Sequence, residues 1–327
     1  MNNLIEPFRI EMPLGIMFST VNLYLIPGEQ LTLIDCGFYS SENWDFLKKE
    51  INKLGYEFSD IEQILITHEH RDHVGLLPEI ISATQAIVRA PKALEAWFLT
   101  PDQWHQQNLL FTKSLLTSLG MPTAALQSSF RYLDAVEPPK KIDELDRIHF
   151  YEAGDLLQIG QLDWEVLHTP GHCPTQFVFW QKDRKALFSS DMLLPITPMP
   201  IVIEDPKRAG QAIQALPQLL DSFARLQALD IQTVYTGHGP IFTDANAVIH
   251  KQLARIEMRK EECYEAIRSG LSTPYELSRK MYPHQQMPPV FSGLHMVLGY
   301  IDLLVAEGRI LQTQNENKII QLSAVLC

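Results

Sequence analysis

In this 327-residue chain, residues 67–75 read Thr-His-Glu-His-Arg-Asp-His-Val-Gly, the stretch most informative about its fold class. It follows Ile61–Thr67 (IEQILIT), an apolar run that predicts a β-strand. Three histidines and one aspartate therefore stand on a loop at the carboxyl end of a strand, where they can turn toward one place. Imidazole nitrogens and carboxylate oxygens suit Zn, Fe or Mn, and the lack of a thiolate does not fit a structural zinc site. The stretch predicts a metal centre rather than a histidine-rich surface loop.

Three later strand ends each offer one further donor. The runs His168–His172 (HTPGH), Phe188–Asp191 (FSSD) and Thr236–Pro240 (TGHGP) offer His172, Asp191 and His238. Each run follows a β-rich segment and contains Gly, Ser or Pro, which favour turns. A single such donor is more often structural, but the three together with residues 67–75 favour one shared site.

The motifs THEHRDH, TPGH, SSD and GHGP resemble those of the metallo-β-lactamase-fold hydrolase superfamily over about residues 15–245. The resemblance implies an α/β chain folded as an αββα sandwich, with the site at one edge between the sheets. It also implies a ligand set: His68, His70 and His172 for one metal, Asp72, His73 and His238 for the other, and Asp191 bridging both. We expect two divalent ions, with Zn preferred and Fe or Mn as alternatives.

The resemblance assigns roles to two aspartates as well. Asp35, in the run LIDCG, would steady the metal-binding loop without touching metal, although a turn-capping role is equally consistent with the sequence. Asp72 is the predicted catalytic residue, because it would orient a metal-bridging hydroxide and accept its proton. The other histidines are interpreted as structural or surface residues, namely His105, His149, His168, His250 and His284, with His295 slightly better placed to reach the site.

Short β-rich runs and amphipathic runs alternate along the chain. The predicted strands are Val21–Ile26, Gln30–Asp35, Ile61–Thr67, Ala86–Arg89, Leu156–Ile159, Leu162–His168, Gln176–Gln181, Ala186–Ser190 and Thr233–Thr236. The predicted helices are Ser41–Leu54, Leu76–Ser82, Asp205–Leu229, 251–269, Val290–Glu307 and one beginning at the capping box Thr273–Glu276. Two strand-rich blocks, each with helices, fit two sheets with helices outside.

The pattern divides the chain into a catalytic domain, residues 1–250, and a C-terminal domain, residues 251–327. A helical insertion at about 91–136 lies within the first, and its aromatic residues are interpreted mainly as core, with a minority facing a substrate. Those aromatics are Trp97, Phe98, Trp104, Phe111 and Phe130. In the second domain, three helices and a hairpin resemble a winged-helix unit. This tail resembles the subgroup of the mitochondrial β-lactamase-like endoribonuclease and of bacterial glyoxalase-II-like hydrolases.

One stretch near the site departs from that subgroup. Asp191–Pro198 (DMLLPITP) matches a motif of the bacterial members, but Met192 stands where a histidine is frequent and the run is one residue shorter. Cys173 also follows His172 where Ser or Thr is commoner. These changes leave every ligand in place and affect only the inference of substrate.

The composition of the chain bears on its expected binding partners and cellular location. The formal net charge is −12, and residues 251–327 hold nine Lys and Arg against eight Asp and Glu, so a nucleic-acid partner is disfavoured. The chain shows no signal peptide, no apolar run of membrane-spanning length and no CxxC pair among its four cysteines. We expect a cytoplasmic protein with free thiols and no membrane contact.

Two functions of different class fit these features. The first is hydrolysis of a small-molecule ester, thioester or lactone, favoured by the apolar insertion and the acidic main domain. The alternative is a phosphodiester- or RNA-cleaving nuclease whose winged unit contacts nucleic acid. A dimerisation or lid role for that unit is preferred, so a homodimer is a further expectation.

Overall fold

The computed structural model describes residues 6–15, 19–195, 201, 214–284 and 290–325, with side chains in the last range from residue 293 onward. Part of the predicted helix Asp205–Leu229, the end of Asp191–Pro198 and Cys327 lie outside the described residues.

The first sheet has six strands in the order β1-β2-β3-β4-β5-β6. They are β1 (Phe8–Pro13), β2 (Thr20–Ile26), β3 (Thr32–Ile34), β4 (Gln63–Leu65), β5 (Ile87–Pro91) and β6 (Ile148–Tyr151). The pairs β1–β2 and β2–β3 are antiparallel, and the remaining pairs are parallel. Because β3 and β4 are parallel neighbours, the residues that follow them, Asp35 and the metal-binding loop, meet at one edge.

The second sheet has five strands in the order β11-β10-β9-β8-β7. They are β7 (Leu156–Ile159), β8 (Leu162–His168), β9 (Phe177–Gln181), β10 (Ala186–Ser190) and β11 (Thr233–Thr236). Only the β10–β11 pair is parallel among these described strands. The carboxyl ends of β10 and β11 therefore lie side by side and bring Asp191 next to His238.

Helices cover the outer face of each sheet. They are α1 (Ser41–Lys53), α2 (Arg71–Val74), α3 (Leu77–Ala83), α4 (Glu95–Leu99), α5 (Pro101–Ser118), α6 (Thr123–Asp134), α7 (Ala215–Gln227), α8 (Ala245–Arg268), α9 (Pro274–Met281) and α10 (Val290–Ala306). Short 3-10 turns occupy Phe58–Asp60, Lys92–Leu94 and Leu145–Arg147, and a hairpin pairs β12 (Ile310–Gln314) with β13 (Ile320–Ala324).

Three clusters of buried apolar side chains define the layers. One lies between the sheets and joins Tyr24 and Leu65 of the first to Phe179 and Phe188 of the second. A second lies between the first sheet and α1, α3 and α4. The third lies between the second sheet and α5, α7, α8, α9 and α10. This arrangement of helix, sheet, sheet and helix confirms the predicted αββα sandwich.

The predicted strands are all present with ends within two residues, but two strands went unpredicted. β1 alternates buried Ile10 and Met12 with outward residues, and β6 has only four residues. The helix predicted at 251–269 runs from Ala245 to Arg268, so position 250 lies inside α8. The division into two domains stays a prediction.

The C-terminal helices are joined to the rest of the chain by close packing. A Cβ added at Gly299 of α10 would lie 2.6 Å from Cβ of Leu216 on α7. The amide of Tyr275 in α9 donates to the carbonyl of Leu119 (3.0 Å), just beyond α5. Thr273 accepts from the amide of Glu276 and so caps α9 as predicted. Among the described residues, no helix is long and apolar enough to cross a membrane.

Candidate metal centre

The loop after β4 turns at once into the short helix α2. Backbone amides of His73 and Val74 donate to the carbonyl of His70 (2.8 and 3.0 Å). These hydrogen bonds form the turn that joins the loop to α2. His68 and His73 are fully buried, and His70 is partly buried. The sequence thereby brings the four side chains predicted to bind metal to the edge where the two sheets meet.

The structure brings all seven predicted ligands together. Three sets have their donor atoms within 4.8 Å of one another: His68, His70 and His172; His68, His73 and Asp191; and Asp72, His73 and His238. Because the sets share His68 and His73, they form one continuous cluster rather than separate sites.

Asp191 lies at the centre of this cluster. Its carboxylate oxygens lie 3.3 Å from Nε2 of His73, 3.5 Å from Nε2 of His172 and 3.4 Å from Nε2 of His238. Nε2 of His238 is also 3.3 Å from Oδ2 of Asp72, and Nε2 of His172 is 2.9 Å from Nδ1 of His70. A carboxylate so placed would be available to cations held by either group of histidines.

Hydrogen bonds outside the cluster orient the rings. Nδ1 of His73 donates to Oδ2 of Asp35 (2.7 Å), and Nδ1 of His238 donates to the carbonyl of Thr20 (2.7 Å). Asp35 also accepts from the amide and the hydroxyl of Thr67, and that hydroxyl lies 3.0 Å from Nδ1 of His68. These contacts leave Nε2 of His68, His73 and His238 for the cluster. They also confirm the predicted contact between Asp35 and the loop.

The cluster fits a metal in its chemistry as well as its geometry. Nε2 of His68 is buried and has no hydrogen-bond partner among the described residues, which is unfavourable unless a cation binds it. Five imidazoles and two carboxylates are ligands of Zn, Fe and Mn.

The pKa values agree with a cation-binding site. Burial lowers the pKa of His70 to about 3 and that of His68 well below its ordinary value, so both stay neutral. Burial opposes ionisation of Asp72, but His73 and His238 lower its pKa to about 2. Burial alone would lower the pKa of His238, but Asp191 and Asp72 raise it to about 9. The field that favours a proton on His238 also favours a metal ion.

Unusual backbone conformations hold these strand ends. Asp35 has φ 59° and Ser190 has φ 44°, both in the left-handed region that residues other than glycine rarely adopt. Gly237 packs directly on the cluster, because a Cβ there would lie 2.2 Å from Oδ1 of Asp191 and 3.1 Å from Cε1 of His73. No larger residue fits at position 237 without displacing a predicted ligand.

The turn that carries His172 rests on α7. A Cβ at Gly171 (φ 142°) would lie 2.5 Å from Cα of Leu219, and the Ser222 hydroxyl donates to the carbonyl of Pro170 (2.8 Å). His168 lies at the end of β8, and its Nε2 bonds to the carbonyl of Pro174 (2.8 Å), which confirms its predicted structural role.

An apolar pocket of about 360 Å³ opens beside the cluster. The metal-binding loop forms one wall through Glu69, His70 and Arg71. The insertion forms the opposite wall; its lining residues include Trp97, Trp104, His105, Asn108, Leu109 and Leu133. Two of the insertion's aromatics therefore face a cavity, whereas Phe98, Phe111 and Phe130 pack in the core.

Sequence reasoning missed two of these lining residues. His105, interpreted as a surface residue, lies in the pocket wall, and Asn108 carried no motif at all. Their one signal was position, three residues apart on a helix next to Trp104. His149, His250 and His284 are exposed as predicted, and His295 is buried in α10 with a hydrogen bond to the backbone of Ile201.

Comparison with known proteins gives one family. A profile of the metallo-beta-lactamase superfamily matches residues 17–238. A probable metallo-hydrolase of Bacillus subtilis is 25% identical over 312 residues, covering 92% of this chain and 93% of that protein. A hydroxyacylglutathione hydrolase of Methylobacterium nodulans is 24% identical over 200 residues, which cover 60% of this chain and 54% of the Methylobacterium protein.

Solved structures share the fold over nearly the whole chain. A metallo-beta-lactamase family protein of Thermus thermophilus has a TM-score of 0.78 at 21% identity, covering 98% of both chains. A beta-lactamase domain protein of Burkholderia ambifaria has a TM-score of 0.74 at 19% identity, covering 99% of this chain and 96% of that one.

Proposed function

Because the chain belongs to the metallo-β-lactamase superfamily, we propose that it is a two-metal hydrolase of small-molecule thioesters, with esters and lactones as related substrates. The observation that carries this proposal is the position of Asp191, within 3.5 Å of three histidine nitrogens, in a cluster whose His70 lines an apolar pocket.

The proposed ligands combine the first and third donor sets with Asp191, which belongs to the second set. His68, His70 and His172 would hold one ion, and Asp72, His73 and His238 the other, with Asp191 shared. Two divalent ions, Zn or else Fe or Mn, would supply activated water and polarise the oxygen of the scissile group.

Asp72 is the proposed catalytic residue. Its side chain is 18% exposed, against 4% or less for Asp191, His73 and His238, so it is the more open to an arriving water. Its low pKa keeps it ionised at neutral pH, and an ionised carboxylate accepts a hydrogen bond from that water and orients it. Glu69, its buried neighbour, hydrogen-bonds to Thr175 and lines the pocket instead.

Thioesters are preferred over phosphodiesters for two reasons. The pocket beside the cluster is walled by tryptophan and leucine side chains, which suit an acyl group better than a phosphate-rich polymer. Hydroxyacylglutathione, named for a relative, is a thioester. A small-molecule substrate is thus proposed, and the winged-helix role of residues 251–327 stays a prediction.

The test combines metal content with a substrate panel. Protein treated with chelator is loaded with Zn, Fe or Mn and assayed on a hydroxyacylglutathione, its oxygen ester, a lactone, a chromogenic β-lactam, an activated phosphodiester and single-stranded RNA. We expect two ions per chain and the highest kcat/KM on the thioester.

Two matched variants locate the activity. Asp191→Asn should lose at least about 100-fold in kcat/KM together with metal, whereas Asp163→Asn on the exposed face of β8 should lose neither. Turnover restricted to phosphodiester or RNA would replace the proposal by the nuclease alternative. Fewer than one ion per loaded chain would contradict the two-metal site itself.

A further inference from the structure

The pocket beside His70 contains a polar group that the metal cluster does not use. We propose that this pocket binds the acyl part of the substrate, an apolar group carrying one carboxamide-like donor and acceptor, and that Asn108 is the residue that selects it. The identity of this occupant rests on the proposed hydrolase function, whereas the binding itself does not.

The walls of the pocket determine its preference for apolar groups. Trp97 of α4, Trp104 and Leu109 of α5, and Leu133 of α6 all line it. Each methylene group moved from water into such surroundings improves binding about 4-fold. A volume of about 360 Å³ is within the range of small-molecule sites in proteins.

Asn108 is one of three polar residues, with His105 and Thr112, that α5 contributes to the lining of this pocket. Asn108 is only 9% exposed, and neither Nδ2 nor Oδ1 of its amide has a hydrogen-bond partner among the described residues. A buried amide without partners is unfavourable, and nearly all buried polar groups in proteins have them. Both amide atoms are closed to solvent, so a ligand reaches them once the Asn108 side chain turns toward the cavity. A ligand group that both accepts from Nδ2 and donates to Oδ1 would then offset this cost, and a carboxamide does both.

The position of the pocket connects this recognition to the site. Glu69, His70 and Arg71 form its wall on the side of the metal-binding loop. A group bound between α5 and that loop therefore has its other end directed to the cluster. This continuity favours the acyl part of the substrate over an unrelated ligand.

Binding is tested without turnover, using octanamide and nonan-2-one as probes. The two have equal chain length and differ in having an amino group or a methyl group on the carbonyl. Tryptophan fluorescence reports occupancy because Trp97 and Trp104 line the pocket, and titration calorimetry gives the Kd. We expect octanamide to bind about 10-fold more tightly, the effect of one to two hydrogen bonds.

Two variants on one helix test the role of Asn108. Asn108→Leu keeps the size and removes the unpartnered amide, so the fold should be as stable or more stable, and the preference for octanamide should fall to within about 2-fold. Leu110→Ala, on the exposed face of α5, should keep the full preference. Equal binding of the two probes to the wild type, or an unchanged preference in Asn108→Leu, would overturn the assignment.

Turnover separates this inference from the proposed function. With acetyl, butanoyl, hexanoyl and octanoyl thioesters, kcat/KM should increase with chain length in the wild type and much less in Trp104→Ala. If octanamide binds as expected but no thioester is cleaved, the hydrolase proposal fails and the pocket assignment stands. If thioesters are cleaved with no dependence on chain length and neither probe binds, the pocket assignment fails alone.

Discussion

Asp35 connects two strand ends of the first sheet through one carboxylate. It accepts from His73 Nδ1 and from the amide and hydroxyl of Thr67, and its own backbone has φ 59°. An asparagine amide in its place accepts hydrogen bonds more weakly than a carboxylate. Its NH2 group would also face His73 or Thr67, which are themselves donors. Asp35→Asn should therefore leave the ring of His73 poorly oriented.

We expect Asp35→Asn to lower zinc affinity and kcat/KM by about 10- to 100-fold. Competition with a chromophoric chelator measures the first and thioester hydrolysis the second. Asp183→Asn, exposed in the turn after β9, is the matched control. Unchanged zinc affinity in Asp35→Asn would reduce Asp35 to the turn-capping role.

Gly237 gives a second prediction at a single position. In Gly237→Ala the new Cβ would meet Oδ1 of Asp191 at 2.2 Å, so the carboxylate must move and the bound metal should fall below two ions per chain. Gly55→Ala, where a Cβ meets nothing within 4 Å but φ is 88°, should lower stability by about 1 kcal/mol and leave metal content unchanged. Metal analysis with thermal unfolding compares the two; full metal content in Gly237→Ala would contradict the prediction.

Strands, helices and loops could be predicted from the sequence where a few neighbouring residues formed a recognisable motif. The loop after β4 combined an apolar strand with four donors, and α9 combined Thr273, Pro274 and Glu276, so both were found. β1 went unpredicted although its apolar residues Phe8, Ile10 and Met12 alternate with the charged Arg9 and Glu11, which is the period of two typical of a half-buried strand. Asn108 could not be found from sequence, because only the packing of α5 against other elements buries its amide.

Helix α10 carries a partly buried acid, Asp302, whose titration should affect the stability of the fold. Burial raises the pKa of Asp302 from 3.8 to about 7. Between these values the folded chain binds more protons than the unfolded chain, so Asp302 destabilises the fold increasingly as pH rises toward 7. Below about pH 4 the effect is absent.

Asp302→Asn removes this titration. Its gain in Tm over the wild type should therefore increase from pH 5 to pH 8, reaching at least ~2 °C. Glu316→Gln, exposed in the turn of the hairpin, should show no such change with pH. Thermal unfolding followed by circular dichroism at both pH values checks this, and an equal gain at both would refute it.

The whole molecule is held by a core that crosses the predicted domain division. Leu277 of α9 and Leu304 of α10 share one cluster with Leu187 of the second sheet and Leu216 of α7. We expect residues 1–250 and 251–327 to unfold together, with calorimetric and van't Hoff enthalpies equal.

A substitution in the tail should consequently weaken the metal-binding part. Leu277→Ala should cost about 2–5 kcal/mol and shift a single transition, while exposed Leu311→Ala in β12 should shift it little. Two separate transitions, with only one moved by Leu277→Ala, would support independent domains instead. The homodimer stays a prediction on which this experiment does not depend.

The helix that faces the pocket is also the one on which the tail rests. α5 lines the cavity with Trp104 and Asn108, and just beyond its end Gly120 lies so close to Thr273 that a Cβ would be 2.7 Å from that side chain. We therefore expect a replacement of the pocket-lining helices to require a matching replacement in the C-terminal segment. A chimera that exchanges α4 to α6 between relatives should keep its solubility only if the matching segment from α9 to β13 is transplanted with it.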